Sequence, residues 1–182
     1  MERIGTEHRP PGPEHAIRGT PLVYFDLETT GLHVDKGATI EEAAVRDAGG
    51  VRLHWRCDSD GANPASLVRR LVERFDGVVV VGHNVTFDLQ FVADRAKRLD
   101  VEAPTARYLD TLGMAREHAD SLADGFELEM LAEAFDLEPA GEFHRAIADT
   151  EVTRRLFWCL VERAGLETLG DAGLKRFELR GT

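Results

Sequence analysis

Residues 24–32 read YFDLETTGL, and inside this apolar run of strand-formers stand two carboxylates, Asp26 and Glu28. Successive side chains of a strand point to opposite faces, so the two share one face, their Cα atoms about 6.5 Å apart at a rise of ~3.3 Å per residue. Anions so placed repel each other, and burying them is costly unless a cation or a shared proton lies between them. Two more aspartates carry the same signal. Asp88 heads a helical stripe with Phe91, Val92 and Leu99, and Asp149 heads one with Val152, Thr153, Leu156 and Leu160. Each belongs on the inward face of its helix at the first turns. Four carboxylates at one edge of a core are tolerable when divalent cations neutralise them, and oxygen-only donors favour Mg²⁺ or Mn²⁺ over zinc. Two such ions ~3.5 to 4 Å apart activate a water and stabilise the leaving oxygen in phosphodiester cleavage. His144, in HRAIAD just ahead of Asp149, supplies an imidazole to take the proton.

The elements that must position these groups are legible in part. The first strand spans 21–28, Gly31 to Gly37 turns the chain, and ATIEEAAVRD, Gly49-Gly50 and VRLHWRC form a hairpin. NPASLVRRLVERF opens a helix with Asn63 as cap and places Leu67, Val68, Leu71, Val72 and Phe75 at helical spacing. GVVVVGHN is an uninterrupted apolar run, as expected of a central strand buried on both faces. A short strand is expected at 106–110, and helices at 86–99, 111–119, 127–136, 145–164 and 166–176. Three strands followed by strand-helix alternation imply a mixed sheet with helices on its faces. Asp110 and Thr111 read as a helix cap rather than ligands. Trp55, Trp158 and the phenylalanines read as core.

Bulk properties bound the rest. A chain of 182 residues with 43% hydrophobic and 30% charged residues suits one soluble domain, 21–182, preceded by a Pro- and Gly-rich segment, 1–20, expected to be a flexible tail. No apolar run approaches the ~20 residues of a spanning helix, and the N-terminal segment has no apolar core of a secretory signal. Two lone cysteines, Cys57 and Cys159, suit a reduced cytoplasm. A net charge of −11 disfavours a protein that grips long nucleic acid by neutralising phosphates.

FDLETTGL at 25–32, GHNVTFDLQFV at 82–92 and HRAIADTEVT at 144–153 resemble, in order, the three motifs of the DnaQ-like, DEDDh-type 3′-to-5′ exonucleases, the group of the proofreading epsilon subunit of bacterial DNA polymerase III. The resemblance runs from about 21 to 165 and takes in IEEAAV and LDTLGMAR. It implies an α/β, ribonuclease H-like fold: a five-stranded mixed sheet of order 3-2-1-4-5, strand 2 antiparallel, with helices on both faces. Carried over by position, it implies that Asp26 bridges two Mg²⁺ or Mn²⁺ ions, that Glu28 and Asp149 complete one ion's coordination, that Asp88 acts mainly through water, and that His144 is the general base. It further implies that the backbone around Thr29 and Thr30, with Gly31 and Phe87, meets the terminal nucleotide, that Leu32 wedges against its base, and that Glu28 also holds the 3′-hydroxyl. His83 and Asn84 are read as supporting groups, with direct substrate contact as the alternative. The subtype with tyrosine in place of histidine is disfavoured, because Arg145 occupies the tyrosine position. One departure is a short connection, DSDGANPAS at 58–66, where proofreading relatives have a longer segment near the terminal base.

The reaction implied is release of 5′-mononucleotides from single-stranded or frayed 3′ ends of DNA in proofreading or repair, with a DNA polymerase as partner. RNA trimming is the alternative within the family, and a non-catalytic binding module the alternative outside it. Retention of mutually repelling carboxylates argues against the module.

Overall fold

The computed structural model describes residues 10–103, 105–120, 125–139 and 141–179. Strand β1 (Leu22–Thr29) opens the fold, followed by β2 (Ile40–Asp47) and β3 (Gly50–Arg56), helix α1 (Pro64–Phe75), β4 (Val79–Gly82), α2 (Thr86–Arg98), β5 (Thr105–Asp110), α3 (Thr111–His118), α4 (Leu128–Ala134), α5 (Ala146–Ala164) and β6 (Lys175–Glu178). The sheet order is β3-β2-β1-β4-β5-β6. β2 runs antiparallel to β1 and β3, β4 parallel to β1 and β5, and β6 antiparallel to β5. The expected order 3-2-1-4-5 is present, extended by a sixth strand.

Period-two alternation along β1 divides the core between the two faces of the sheet. Val23, Phe25 and Leu27 pack with Leu67, Leu71 and Phe75 of α1 and Leu89 and Val92 of α2. Tyr24, on the opposite face, packs with Met114 of α3, Leu131 of α4, and Val152, Leu156 and Phe157 of α5. By the same alternation Asp26 and Glu28 fall on the α5 face. β4 is buried on both faces, with Val79, Val80 and Val81 at zero exposure, as its apolar run requires. Its last residue, Gly82, is constrained by space: a Cβ there would sit 2.9 Å from the Phe25 carbonyl oxygen and 2.5 Å from a Val85 methyl. Only glycine lets the end of β4 approach β1 so closely.

Two expectations are corrected. Residues 166–176 do not form a helix. Thr168 and Asp171 close a turn on themselves, the Thr168 N–H donating to Asp171 Oδ2 at 2.9 Å and the Asp171 N–H to Thr168 Oγ1 at 3.1 Å. Gly173 then takes φ 76° and directs the chain into β6. The segment 1–20 is also not a tail throughout. Residues 1–9 lie outside the described residues, but residues 10–20 are held on the domain. The Ile17 N–H donates to the Glu167 carbonyl at 2.9 Å, Leu169 N–H to the His15 carbonyl at 2.9 Å, and Gly170 N–H to the Pro13 carbonyl at 2.8 Å. Ile17 is 1% exposed within the α5-side core. Among the described residues no helix is long and apolar enough to cross a membrane.

Candidate active site

The C-terminal end of the central strand β1, the start of α2 and the start of α5 meet at one end of the sheet. β1 and β4 pair only as far as Tyr24 and Val81, and beyond that point the Leu27 N–H donates to Asp88 Oδ1 at 2.9 Å. The carboxylate of α2 thus replaces a missing strand partner. The β1–β2 register shifts between Glu28 and Thr29, an irregularity of the kind that re-aims side chains beside functional sites. Asp149 stands in the first turn of α5 and accepts from the His144 N–H at 3.1 Å through Oδ2. His144 has φ 61°, a left-handed backbone that this bond helps hold.

Ligand atoms of Glu28, His144 and Asp149 lie within 4.8 Å of one another. Asp26 and Asp88 are not part of that grouping, yet they belong to the same electrostatic site. Burial pushes the Asp26 carboxyl well above the carboxylate range, and the charges of Asp88, Asp149, Glu28 and Glu42 push it further. Burial raises Asp88 likewise, against the Leu27 N–H bond. Asp149 is pushed up to about 6, first by burial and then by Glu28, while the His144 N–H opposes the rise. Glu28 is raised by burial, with His144 opposing. Asp26 Oδ2 and Asp149 Oδ1 are buried without a hydrogen-bond partner. Oxygen donors left orphaned in this way, among carboxylates that suppress one another's ionisation, fit hard divalent cations.

The His144 ring is 83% exposed and meets Glu129 Oε1 of α4 at 3.2 Å. It stands at the mouth of the acidic cleft with its face open to solvent. Leu32, just past β1, is 76% exposed, an apolar side chain offered to solvent beside the site. Thr29 Oγ1 donates to the Gly31 carbonyl at 2.9 Å, and Thr30 exchanges bonds with Thr39, so the turn after β1 is internally fixed. Phe87 is half-buried against Phe91, ring centroids 5.0 Å apart. His83 is occupied at both nitrogens, Nδ1 with Thr111 Oγ1 at 3.0 Å and Nε2 with the Phe126 carbonyl at 2.8 Å, an arrangement that ties β4 to α3 and the segment before α4. Asn84, at φ 55°, donates its backbone N–H to Asp110 Oδ1 at 2.8 Å. Asp110 also caps α3 by accepting from the Leu112 N–H at 3.0 Å, as expected.

One buried acid escaped the sequence reading. Glu42 of β2 pairs in register with Glu28 and is 5% exposed. Its Oε2 accepts from Arg145 Nε at 2.9 Å, and its Oε1 lies 2.6 Å from His54 Nε2. Burial opposes its ionisation, but these two partners outweigh burial and hold the carboxyl below its ordinary value. Its signal was the same as that of Asp26, a carboxylate in the apolar run IEEAAV. Which of Glu41 and Glu42 faces inward depends on the hairpin register, which sequence spacing leaves open.

Residues 56–157 match the RNase_T family model, described as Exonuclease. The DNA polymerase III PolC-type protein of Oceanobacillus iheyensis is 32% identical over 166 residues, covering 78% of this chain and 11% of that protein. The chain therefore spans a small part of such relatives. The DNA polymerase III subunit epsilon of Aquifex aeolicus is 28% identical over 192 residues, covering 91% of this chain and 93% of that subunit. Exonuclease X, solved in complex with 5′ overhanging duplex DNA, superposes with a TM-score of 0.54 at 21% identity, covering 83% of this chain and 97% of the other. That likeness establishes a ribonuclease H-like fold. The family match spans more than half of the sequence, and the chain belongs to the exonuclease family.

Proposed function

We propose that this chain is a metal-dependent 3′-to-5′ exonuclease that releases 5′-mononucleotides from single-stranded or frayed 3′ ends, with DNA as its substrate in proofreading or repair and a DNA polymerase as its partner. The observation that carries the reading is the pair of buried, partnerless carboxylate oxygens on Asp26 and Asp149, set beside Glu28, Asp88 and an exposed His144. Asp26 would hold both ions, Glu28 and Asp149 would complete the coordination of one, and Asp88, committed by one oxygen to Leu27 N–H, would contribute mainly through water. Two divalent cations bound there would activate a water and stabilise the leaving oxygen.

The chain's own groups supply the remainder. The exposed imidazole of His144 accepts the water proton and releases it to solvent. Leu32 packs against the terminal base, and the fixed turn Thr29–Gly31 presents its backbone to the last nucleotide, with Phe87 below it. Glu28 holds the 3′-hydroxyl. His83 and Asn84 support this surface through their bonds to Thr111, Phe126 and Asp110. The name of the Aquifex relative supports the polymerase context.

The test uses single strands of DNA and RNA, labelled at either end, with Mg²⁺ or with chelator. A 3′ label should leave first as a mononucleotide, only with metal, and faster from DNA. His144→Ala should reduce kcat by roughly 10²- to 10⁴-fold. Release from the 5′ end, internal fragments, or full activity with chelator would overturn the reading.

A further inference from the structure

The position of the His144 ring is set almost wholly by its backbone, because the ring itself is 83% exposed and meets only the half-exposed Glu129 among the described polar contacts. That backbone is left-handed at φ 61°, a conformation of order 1 kcal/mol or more above the helical one for a residue with a Cβ, so it persists only where neighbours hold it. One restraint is the His144 N–H bond to Asp149. The other begins at the next residue. Arg145 is the N-cap of α5 without a capping side-chain bond. Its carbonyl accepts the N–H groups of Ala148 and Asp149 at 2.8 and 2.9 Å, and its guanidinium reaches back to Glu42 on β2 at 2.9 Å.

Glu42 suits this role. It is buried directly opposite Glu28, where a free carboxylate would only add repulsion to an already acidic site. His54 on β3 engages its second oxygen at 2.6 Å, so the side chain is fixed from one side and offers its remaining oxygen to Arg145 from the other. We propose that Glu42, with Arg145, is a positioning residue that anchors the start of α5 to β2 and thereby holds His144 in place over the acidic site. This rests on His144 being the general base, as proposed above. A displacement near 1 Å of such a group costs on the order of 10²-fold in rate, and His144 immediately precedes the anchored Arg145 in the chain.

The experiment compares Glu42→Ala, Glu42→Gln and Arg145→Ala, each also in a His144→Ala background. Arg145→Ala is the safer variant for folding, because Glu42 keeps His54 as partner. Steady-state kinetics on a single strand with Mg²⁺ are paired with amide hydrogen exchange of residues 143–149 in the metal-free protein. Glu42→Ala and Arg145→Ala should lower kcat roughly 10- to 100-fold with KM changed less than about threefold. Glu42→Gln, which keeps an acceptor oxygen, should recover most of that loss. In the His144→Ala background the same changes should alter kcat less than about threefold, since an effect exerted through His144 cannot outlast it. Exchange at 143–149 should accelerate in both truncations. Unchanged exchange, or a kcat loss that persists undiminished without His144, would overturn the anchor. A wild type inert on every substrate would instead overturn the exonuclease reading, and the exchange measurement distinguishes the two failures.

Discussion

Asp26 is the residue on which the site's electrostatics converge, since burial and four neighbouring carboxylates all disfavour its charge. Replacing it with asparagine keeps the shape and removes one anion. Asp26→Asn should therefore abolish Mg²⁺-dependent cleavage while leaving the metal-free protein at least as stable as wild type, as thermal unfolding without metal would record. Turnover near the wild-type level would remove Asp26 from the metal site. Asp149 permits a pH-resolved form of the same test. Its carboxyl is raised from 3.8 to about 6, so the folded state holds the proton more tightly than the unfolded state. Stability from this group is then fully present at pH below its ordinary value, declines as pH rises to about 6, and stays low above that. Asp149→Asn should be nearly neutral at pH ~4 and stabilising by something on the order of 1–3 kcal/mol at pH ~7 in the metal-free protein. Adding Mg²⁺ should raise the wild-type Tm more than that of the variant. Equal effects at both pH values would mean that the carboxyl ionises freely.

At the scale of elements, what the sequence revealed depended on local signal. Asp26 and Asp88 were legible because a carboxylate in an apolar stripe is visible from spacing alone. α1 was legible from its Asn63 cap, which accepts from the Ala65 and Ser66 N–H groups. β6 was not, because KRFE is short and has three charged residues, and only pairing with β5 makes it a strand. The docked segment 10–20 was illegible for the same reason. Its prolines and glycines suggest a tail, and its buried aliphatic side chain, Ile17, is an isolated large apolar residue with no periodicity. Burial of a single isoleucine is nevertheless worth about 2–5 kcal/mol when truncated to alanine. Ile17→Ala should destabilise the domain by an amount toward the lower end of that range, since the surrounding segment can partly collapse, and denaturant unfolding would measure it. A change within ±0.5 kcal/mol, the span of an ordinary surface substitution, would show that residues 10–20 contribute nothing to the fold in solution.

At the scale of the whole molecule the question is how an acidic protein holds an acidic polymer. The net charge is −11, and several of the arginines are already engaged within the fold: Arg46 and Arg154 with Glu151, Arg52 with Asp47, Arg56 with Asp58, Arg98 with Asp94, and Arg145 with Glu42. The Arg56–Asp58 pair lies at the foot of the short connection from β3 to α1. On the proposed reading, recognition would be left to the last few nucleotides, entering unpaired beside Leu32 and the acidic cleft, where bound metal ions would offset the repulsion between phosphate and carboxylate. Cleavage should be distributive, nearly indifferent to base sequence, and shallow in its salt dependence. By counterion release, roughly one to three phosphate contacts to a single strand predict a loss of about threefold to twentyfold in kcat/KM between ~50 and ~200 mM salt, against roughly 10³ to 10⁵ for a protein making six to ten contacts. Measuring kcat/KM on matched single-stranded and blunt duplex oligonucleotides across that range decides between them. Processive digestion of the blunt duplex, or a fall of several orders of magnitude with salt, would require a basic surface independent of these internal ion pairs to carry the binding.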